Sequence, residues 1–93
     1  MNTIVLKNLV SNTSSNSQGF VLFNELKKYK QDVVILEISN DLTLSSSFLN
    51  SSIGEYLDTF GLTEFKQNIK FKGSRNQYLR ISKYLEDYSR LYC

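Results

Sequence analysis

The sequence predicts a small α/β layer fold in the order β-α-β-α-β-α, with a mostly parallel short sheet packed by helices. Three observations carry that expectation. Val33-Val34-Ile35-Leu36 is an uninterrupted apolar run, too short for a helix and suited to an interior strand. Before it, after it and towards the C-terminus, apolar residues recur at helical spacing instead. A strand, a helix and another strand in succession form the parallel βαβ unit, and right-handed crossovers make strands that share a sheet parallel.

Taken in order, the first strand is expected from Thr3 to Leu9, where branched residues alternate loosely with polar ones. A Ser/Asn/Thr stretch, residues 12–16, suits a loop leading into a helix. Ser17 is the expected N-cap, its hydroxyl placed to accept from backbone N–H groups one turn on. Leu22, Leu26 and Tyr29, widened by Phe23, share one face of the first helix and leave Glu25, Lys27 and Lys28 to water. Lys27, Lys28 and Lys30 gather in its last turn, where the helix dipole favours cations. Asp32 to Ile38 is the central strand, and its apolar run predicts cover on both faces.

A loop over residues 39–44 leads to Ser45-Ser46-Ser47, which open the second helix. From Phe48 on, Leu49, Ile53, Tyr56 and Phe60 lie on one stripe with Leu57 beside it, and Gly61 is the expected stop. Leu62 to Asn68 reads as a short helical turn. Ile69 to Lys72 alternates and ends at Gly73, which suits a third strand. Ser74-Arg75-Asn76-Gln77 matches a capping box, with Ser at the N-cap and Gln three residues later. The last helix carries Tyr78, Ile81, Leu85, Tyr88 and Tyr92 on its apolar stripe, Leu91 alongside, and an i,i+4 pair of Glu86 and Arg90.

Composition narrows the function classes. A chain of 93 residues is expected to be a single domain, residues 1–93. Its 41% hydrophobic and 22% charged content is that of a globule. His is absent, which removes the commonest general base, the commonest zinc ligand and the usual pH switch. The expectation is therefore no enzyme, no metal and no cofactor. A net charge of +2 is too small to imply nucleic acid by itself. The single Cys93 has no intrachain partner and reads as an incidental terminal thiol in a reducing interior. The opening MNTIVLKNLV has no basic leader segment, and no apolar run reaches the ~20 residues of a membrane span; a cytoplasmic protein without membrane contact is expected. Gly19, Gly54, Gly61 and Gly73 form no phosphate-cradling loop. The carboxylate neighbours Glu55 with Asp58, and Glu86 with Asp87, are placed on helix exteriors and read as solvated.

The informative stretch is the junction from the central strand into the second helix, Glu37 to Phe48. An apolar strand leads through polar residues to hydroxyls at a helix start, where the first N–H groups are unpaired and the dipole is positive outward. Ser45 or Ser46 as an N-cap is the plain reading. An anion site, or a phosphorylated serine tolerated there, is the other.

These features resemble a known family. A strand rich in Val, Ile and Leu, a short turn and paired serines opening a helix is similar to the STAS domains of anti-sigma-factor antagonists. The closer likeness is to the short STAS-like group of unknown function: an early strand at residues 3–9, Asn16-Ser17-Gln18-Gly19 leading into a helix, the strand at residues 33–38, and Ser46-Ser47-Phe48 at a helix start. The unit from Ile69 onward also fits, so the likeness spans nearly the whole chain.

The resemblance implies a STAS-like fold and a non-enzymatic regulatory module. It implies Ser46 as phospho-acceptor with Ser47 as its neighbour, and a docking surface formed by Asp41, Ser45 and Phe48. The implied partner is an anti-sigma factor or a kinase-type ATPase. Two positions depart from the pattern of the anti-sigma-factor antagonists: Ser45 stands where an acidic residue is expected, with Asp41 four residues upstream, and Phe48 stands where a glycine is expected.

Two alternatives come from other classes. Lys66, Lys70, Lys72, Arg75, Arg80 and Lys83 are interleaved with Phe65, Phe71, Tyr78 and Tyr84, a pattern that binds single-stranded nucleic acid where the rings are free to stack. Tyr78 and Phe71 are expected to face the core, which leaves Tyr84 on the solvent side. The enzyme alternative is a nucleophilic Ser46 activated by Lys7 or Lys28. Three short strands also leave two sheet edges, with Lys7 a mild deterrent on the first.

Overall fold

The computed structural model describes residues 2–29 and 32–92, with side chains as far as Arg90. The expectations placed on Lys30, on Cys93 and on the side chains of Leu91 and Tyr92 fall outside the described residues. The elements run β1 (Asn2–Val5), α1 (Leu6–Leu9), α2 (Asn16–Lys28), β2 (Val34–Glu37), α3 (Ser46–Leu49), a π-helical segment (Asn50–Gly54), α4 (Glu55–Phe60), α5 (Leu62–Asn68), β3 (Ile69–Lys72) and α6 (Arg75–Tyr92).

The three strands form one parallel sheet in the order β1-β2-β3, as the βαβ succession predicted. Ile4, Leu36 and Phe71 lie in register. Ile4, Val34, Leu36 and Ile69 turn to the same face and are buried, where they join Leu22 and Leu26 of α2, Leu49 and Ile53 of the second helical stretch, and Ile81 of α6. On the opposite face Val5, Ile35 and Glu37 are half-buried, and Thr3, Lys70 and Lys72 are exposed. The expectation that the central strand is covered on both faces is therefore corrected. Successive right-handed crossovers that advance in one direction across a sheet stack their helices on one side, and an apolar run cannot reveal strand order.

Sequence boundaries shift where a local period changes. The first strand ends at Val5 rather than Leu9, because Leu6 and Val10 both enter the core and lie one helical turn apart. The N-cap of α2 is Ser15, not Ser17: the Ser15 hydroxyl accepts from the Gln18 N–H at 3.4 Å. Asn12 Oδ1 collects the N–H groups of Ser14 and Ser15 at 3.1 and 3.2 Å, so residues 16 and 17 are already helical. Leu62–Asn68 is a helix of 7 residues. Gly61 has φ +93°, a conformation that glycine adopts without the Cβ penalty.

Residues 46–60 form one continuous helical path with the π segment at its middle. Inside it the Ser52 hydroxyl donates to the Phe48 carbonyl at 2.7 Å, and the Ser51 hydroxyl donates to Asn16 Oδ1 of α2 at 2.9 Å. A Cβ at Gly19 would stand 2.6 Å from Ser51 Cβ and 2.7 Å from the Phe48 carbonyl oxygen, so α2 crosses this path at its one glycine. On the far side the Phe60 ring packs tilted, and the Phe65 ring edge-on, against Tyr56, with centroids 4.8 and 5.7 Å away.

The capping box forms as predicted: Ser74 N–H donates to Gln77 Oε1 at 3.0 Å and Gln77 N–H to Ser74 Oγ at 3.3 Å. Tyr78 is 60% exposed, which corrects its place on the buried stripe. The inward position one turn before Ile81 goes to Gln77, whose Nε2 donates to the carbonyls of Ser39 and Leu42. Tyr84, expected in solvent, is half-buried. Among the described residues no helix is long and apolar enough to cross a membrane.

Candidate functional site

The junction singled out in the sequence is built around three adjacent serines with three different roles. Ser45 is the N-cap of α3, its hydroxyl accepting from the Phe48 N–H at 3.1 Å, and its own N–H donates to the Thr13 carbonyl at 3.0 Å. Thr13 in turn donates its hydroxyl to the Thr43 carbonyl, which ties the loop before α2 to the loop before α3. Ser46 and Ser47 follow in the first turn, both exposed. The plain N-cap reading thus belongs to Ser45, and the hydroxyl of Ser46 is left free of capping.

Ser46 has a cationic partner that sequence reading placed elsewhere. Arg80 of α6 donates from Nη2 to Ser46 Oγ at 3.1 Å and from Nε to the Leu44 carbonyl at 3.1 Å. The guanidinium is thereby aimed along the helix start by two bonds from one fork. It lies at one end of a cleft of about 500 Å³ between α6 and the path of residues 46–60. Along that cleft Tyr84 donates to Asn50 Oδ1 at 2.8 Å and Tyr88 to Asp58 Oδ1 at 3.0 Å. Residues 80, 84 and 88 therefore face 46, 50 and 58, each set at multiples of one near-turn. A four-residue spacing of hydrogen-bonding side chains on both helices was the signal available in the sequence.

The other predicted site residues scatter. Phe48 is 1% exposed, a ring of the core, and cannot form a docking surface. Asp41 is exposed and 3.8 Å from Lys7 Nζ. Lys28 pairs with Glu25 at 2.9 Å, and the hydrogen bond and charge of Glu25 hold its ammonium pKa above the usual value. Neither lysine partners Ser46. The group that does is the Arg80 guanidinium, which offers hydrogen-bond donors and no acceptor.

The basic set does not gather into one surface. Lys70 and Lys72 stand on the open sheet face, Arg80 is turned to Ser46, and Lys83 is held by Asp87 at 3.2 Å. Arg75 is exposed in the first turn of α6. Of the interleaved rings, Phe65 is buried, Phe71 and Tyr84 are half-buried and Tyr78 is exposed. Glu86 is paired with Arg90 at 2.6 Å. Among the described residues no group of three or more His, Cys, Asp or Glu could hold a metal.

A family model described as a STAS-like domain of unknown function matches residues 18–79. The match covers two thirds of the chain, runs from the first turn of α2 through the serines and β3, and stops one residue short of Arg80. No curated protein and no solved structure matches the chain.

Proposed function

The chain belongs to the STAS-like domain family, and on that premise we propose that it is a non-enzymatic regulatory module. It docks a protein partner at the start of α3 and is switched by phosphorylation of Ser46. The observation that carries this reading is the Arg80 guanidinium 3.1 Å from the exposed Ser46 hydroxyl. A phosphate on Ser46 carries about −1.5 to −2 charge and strong acceptor oxygens. Arg80 offers it a planar fork of donors, and the neighbouring helix start a favourable dipole. The modified residue is therefore held in place rather than expelled.

The switch follows from that retention. A dianion fixed on the docking face repels an acidic partner surface and adds desolvation cost to any partner that covers it. Ser45 and Ser47, its neighbours in the chain, flank Ser46 on this face, and Asp41 lies beside Lys7 instead. Resemblance to anti-sigma-factor antagonists suggests the partner class, an anti-sigma factor or a kinase-type ATPase.

The test is incubation of the chain with a candidate kinase-type ATPase and ATP, followed by intact mass and site mapping. A phosphate on Ser46, absent from Ser46→Ala, is the expected result. No phosphate, or one at another residue, overturns the switch. Ser46→Asp with unchanged affinity for the partner overturns the docking face.

A further inference from the structure

We propose that the free edge of β3 receives an extended segment of a partner protein, with alternating acidic and apolar residues, as a fourth strand of the sheet. β3 is the last strand in the order β1-β2-β3. The Ile38 N–H donates to the Lys72 carbonyl at 2.8 Å, so Lys72, and Lys70 two residues before it, turn their peptide groups toward β2. Phe71 then directs its N–H and C=O outward along the edge. These are the groups that an added strand would bond.

The two sides of the edge select the side chains of that strand. On the core side, a groove of about 650 Å³ between α5 and α6 is lined by Phe71, Ile81, Leu85 and Tyr78, the last of them 60% exposed. An apolar side chain beside Phe71 enters it. On the open face Lys70 and Lys72 are both exposed, two residues apart, and neither is in an ion pair among the described residues. Lys70 Nζ donates to the Lys66 carbonyl at 3.1 Å, a bond that leaves its charge in place. Carboxylates at alternate positions of the incoming strand meet these two ammonium groups.

Charge also decides against a second copy of this chain. A two-fold antiparallel pairing of β3 with itself sets lysine opposite lysine on the open face, which is destabilising. Edge lysines commonly serve to reject such self-pairing, and the same two charges admit a strand of opposite sign. The site does not use Ser46, so it stands apart from the phosphorylation reading.

The test uses the intact chain and two capped synthetic hexapeptides, one alternating glutamate with valine and one holding the same residues in two blocks. Binding is read by fluorescence anisotropy and edge pairing by amide exchange. The expected result is tighter binding of the alternating peptide and slowed exchange at the Phe71 amide. Combined Lys70→Glu and Lys72→Glu weakens that binding about tenfold and favours a lysine–valine peptide instead. Ser46→Ala changes none of this. The proposal is overturned if the alternating peptide does not bind, if the block peptide binds as well, or if Phe71 exchange is not slowed. It is equally overturned if charge reversal has no effect, or if a single-stranded oligonucleotide binds more tightly than the peptide.

Discussion

Gly54 lies so close beneath the Tyr84 hydroxyl that a Cβ at residue 54 would collide with it. That hydroxyl donates to Asn50 one turn earlier at 2.8 Å, so the seam between α6 and the π segment depends on an absent methyl group. The π segment itself leaves Ser51, Ser52 and Gly54 buried, which brings polar backbone and α6 into close approach. π turns within helices are frequent at functional sites, and this one lies directly behind Ser46.

Gly54→Ala should therefore change sign with its neighbour. In the wild-type chain overpacking costs about 1–3 kcal/mol and exceeds the ~1 kcal/mol that alanine gains over glycine in a helix. In a Tyr84→Phe background the nearest ring carbon is 3.7 Å from the new Cβ, an ordinary contact, and the same substitution stabilises by about 0.5–1 kcal/mol. A double-mutant cycle by urea unfolding measures this. The same sign in both backgrounds contradicts the steric account.

Gly19→Ala has no such rescue. Both close approaches, 2.6 Å to Ser51 Cβ and 2.7 Å to the Phe48 carbonyl, involve atoms fixed by backbone. Net destabilisation of about 2 kcal/mol is expected, a fall in Tm of roughly 10 °C for a chain of this size. Ser51→Gly should not restore it, since the Phe48 carbonyl remains. Thermal unfolding of the single and double variants decides the point.

What the sequence made legible was local. The apolar run at residues 33–36 marks β2, the alternation at 69–72 marks β3, and Ser74 with Gln77 marks the start of α6, because each signal and its structural cause lie within one turn or strand. The one-sided sheet was not legible, since it follows from strand order, which no single run encodes. Leu6 reads as a strand residue because it continues the apolar run Ile4-Val5, and its helical spacing with Val10 becomes visible only four residues later. The pairing of Ser46 with Arg80 spans 34 residues, and a basic residue near aromatics reads as nucleic-acid chemistry until a facing hydroxyl is placed against it. Tyr78 and Gln77 exchanged their expected burial for a related reason: the demand for Gln77 comes from carbonyls at Ser39 and Leu42, far from it in the chain.

Gln77 is accordingly more than a cap. It is 6% exposed, and its amide closes the capping box while donating twice across the sheet end. Ser74→Ala removes one capping bond and should cost about 1 kcal/mol. Gln77→Ala removes the other and leaves two carbonyls without their donor, at about 1–3 kcal/mol more. Equilibrium urea unfolding of both variants checks the ranking, and a smaller loss at residue 77 than at residue 74 would refute it.

Tyr56 sets an alkaline limit on stability. Burial pushes its phenol pKa above the ordinary value of 10.0, the Glu64 carboxylate pushes it further, and a hydrogen bond with Asn68 acts in the opposite direction. The folded chain thus holds this proton more tightly than the unfolded chain does. Its contribution is intact below about pH 10, where both states are protonated, and is lost as pH rises from the unfolded pKa toward the folded one. The slope from this group is at most about 1.4 kcal/mol per pH unit. The stability difference between the wild-type chain and Tyr56→Phe should stay level from about pH 7 to 9 and shift toward the variant above about pH 10. Urea unfolding across that range measures it. A difference that remains level through about pH 11 means that Tyr56 titrates alike in both states, and the buried phenol then carries none of the alkaline sensitivity.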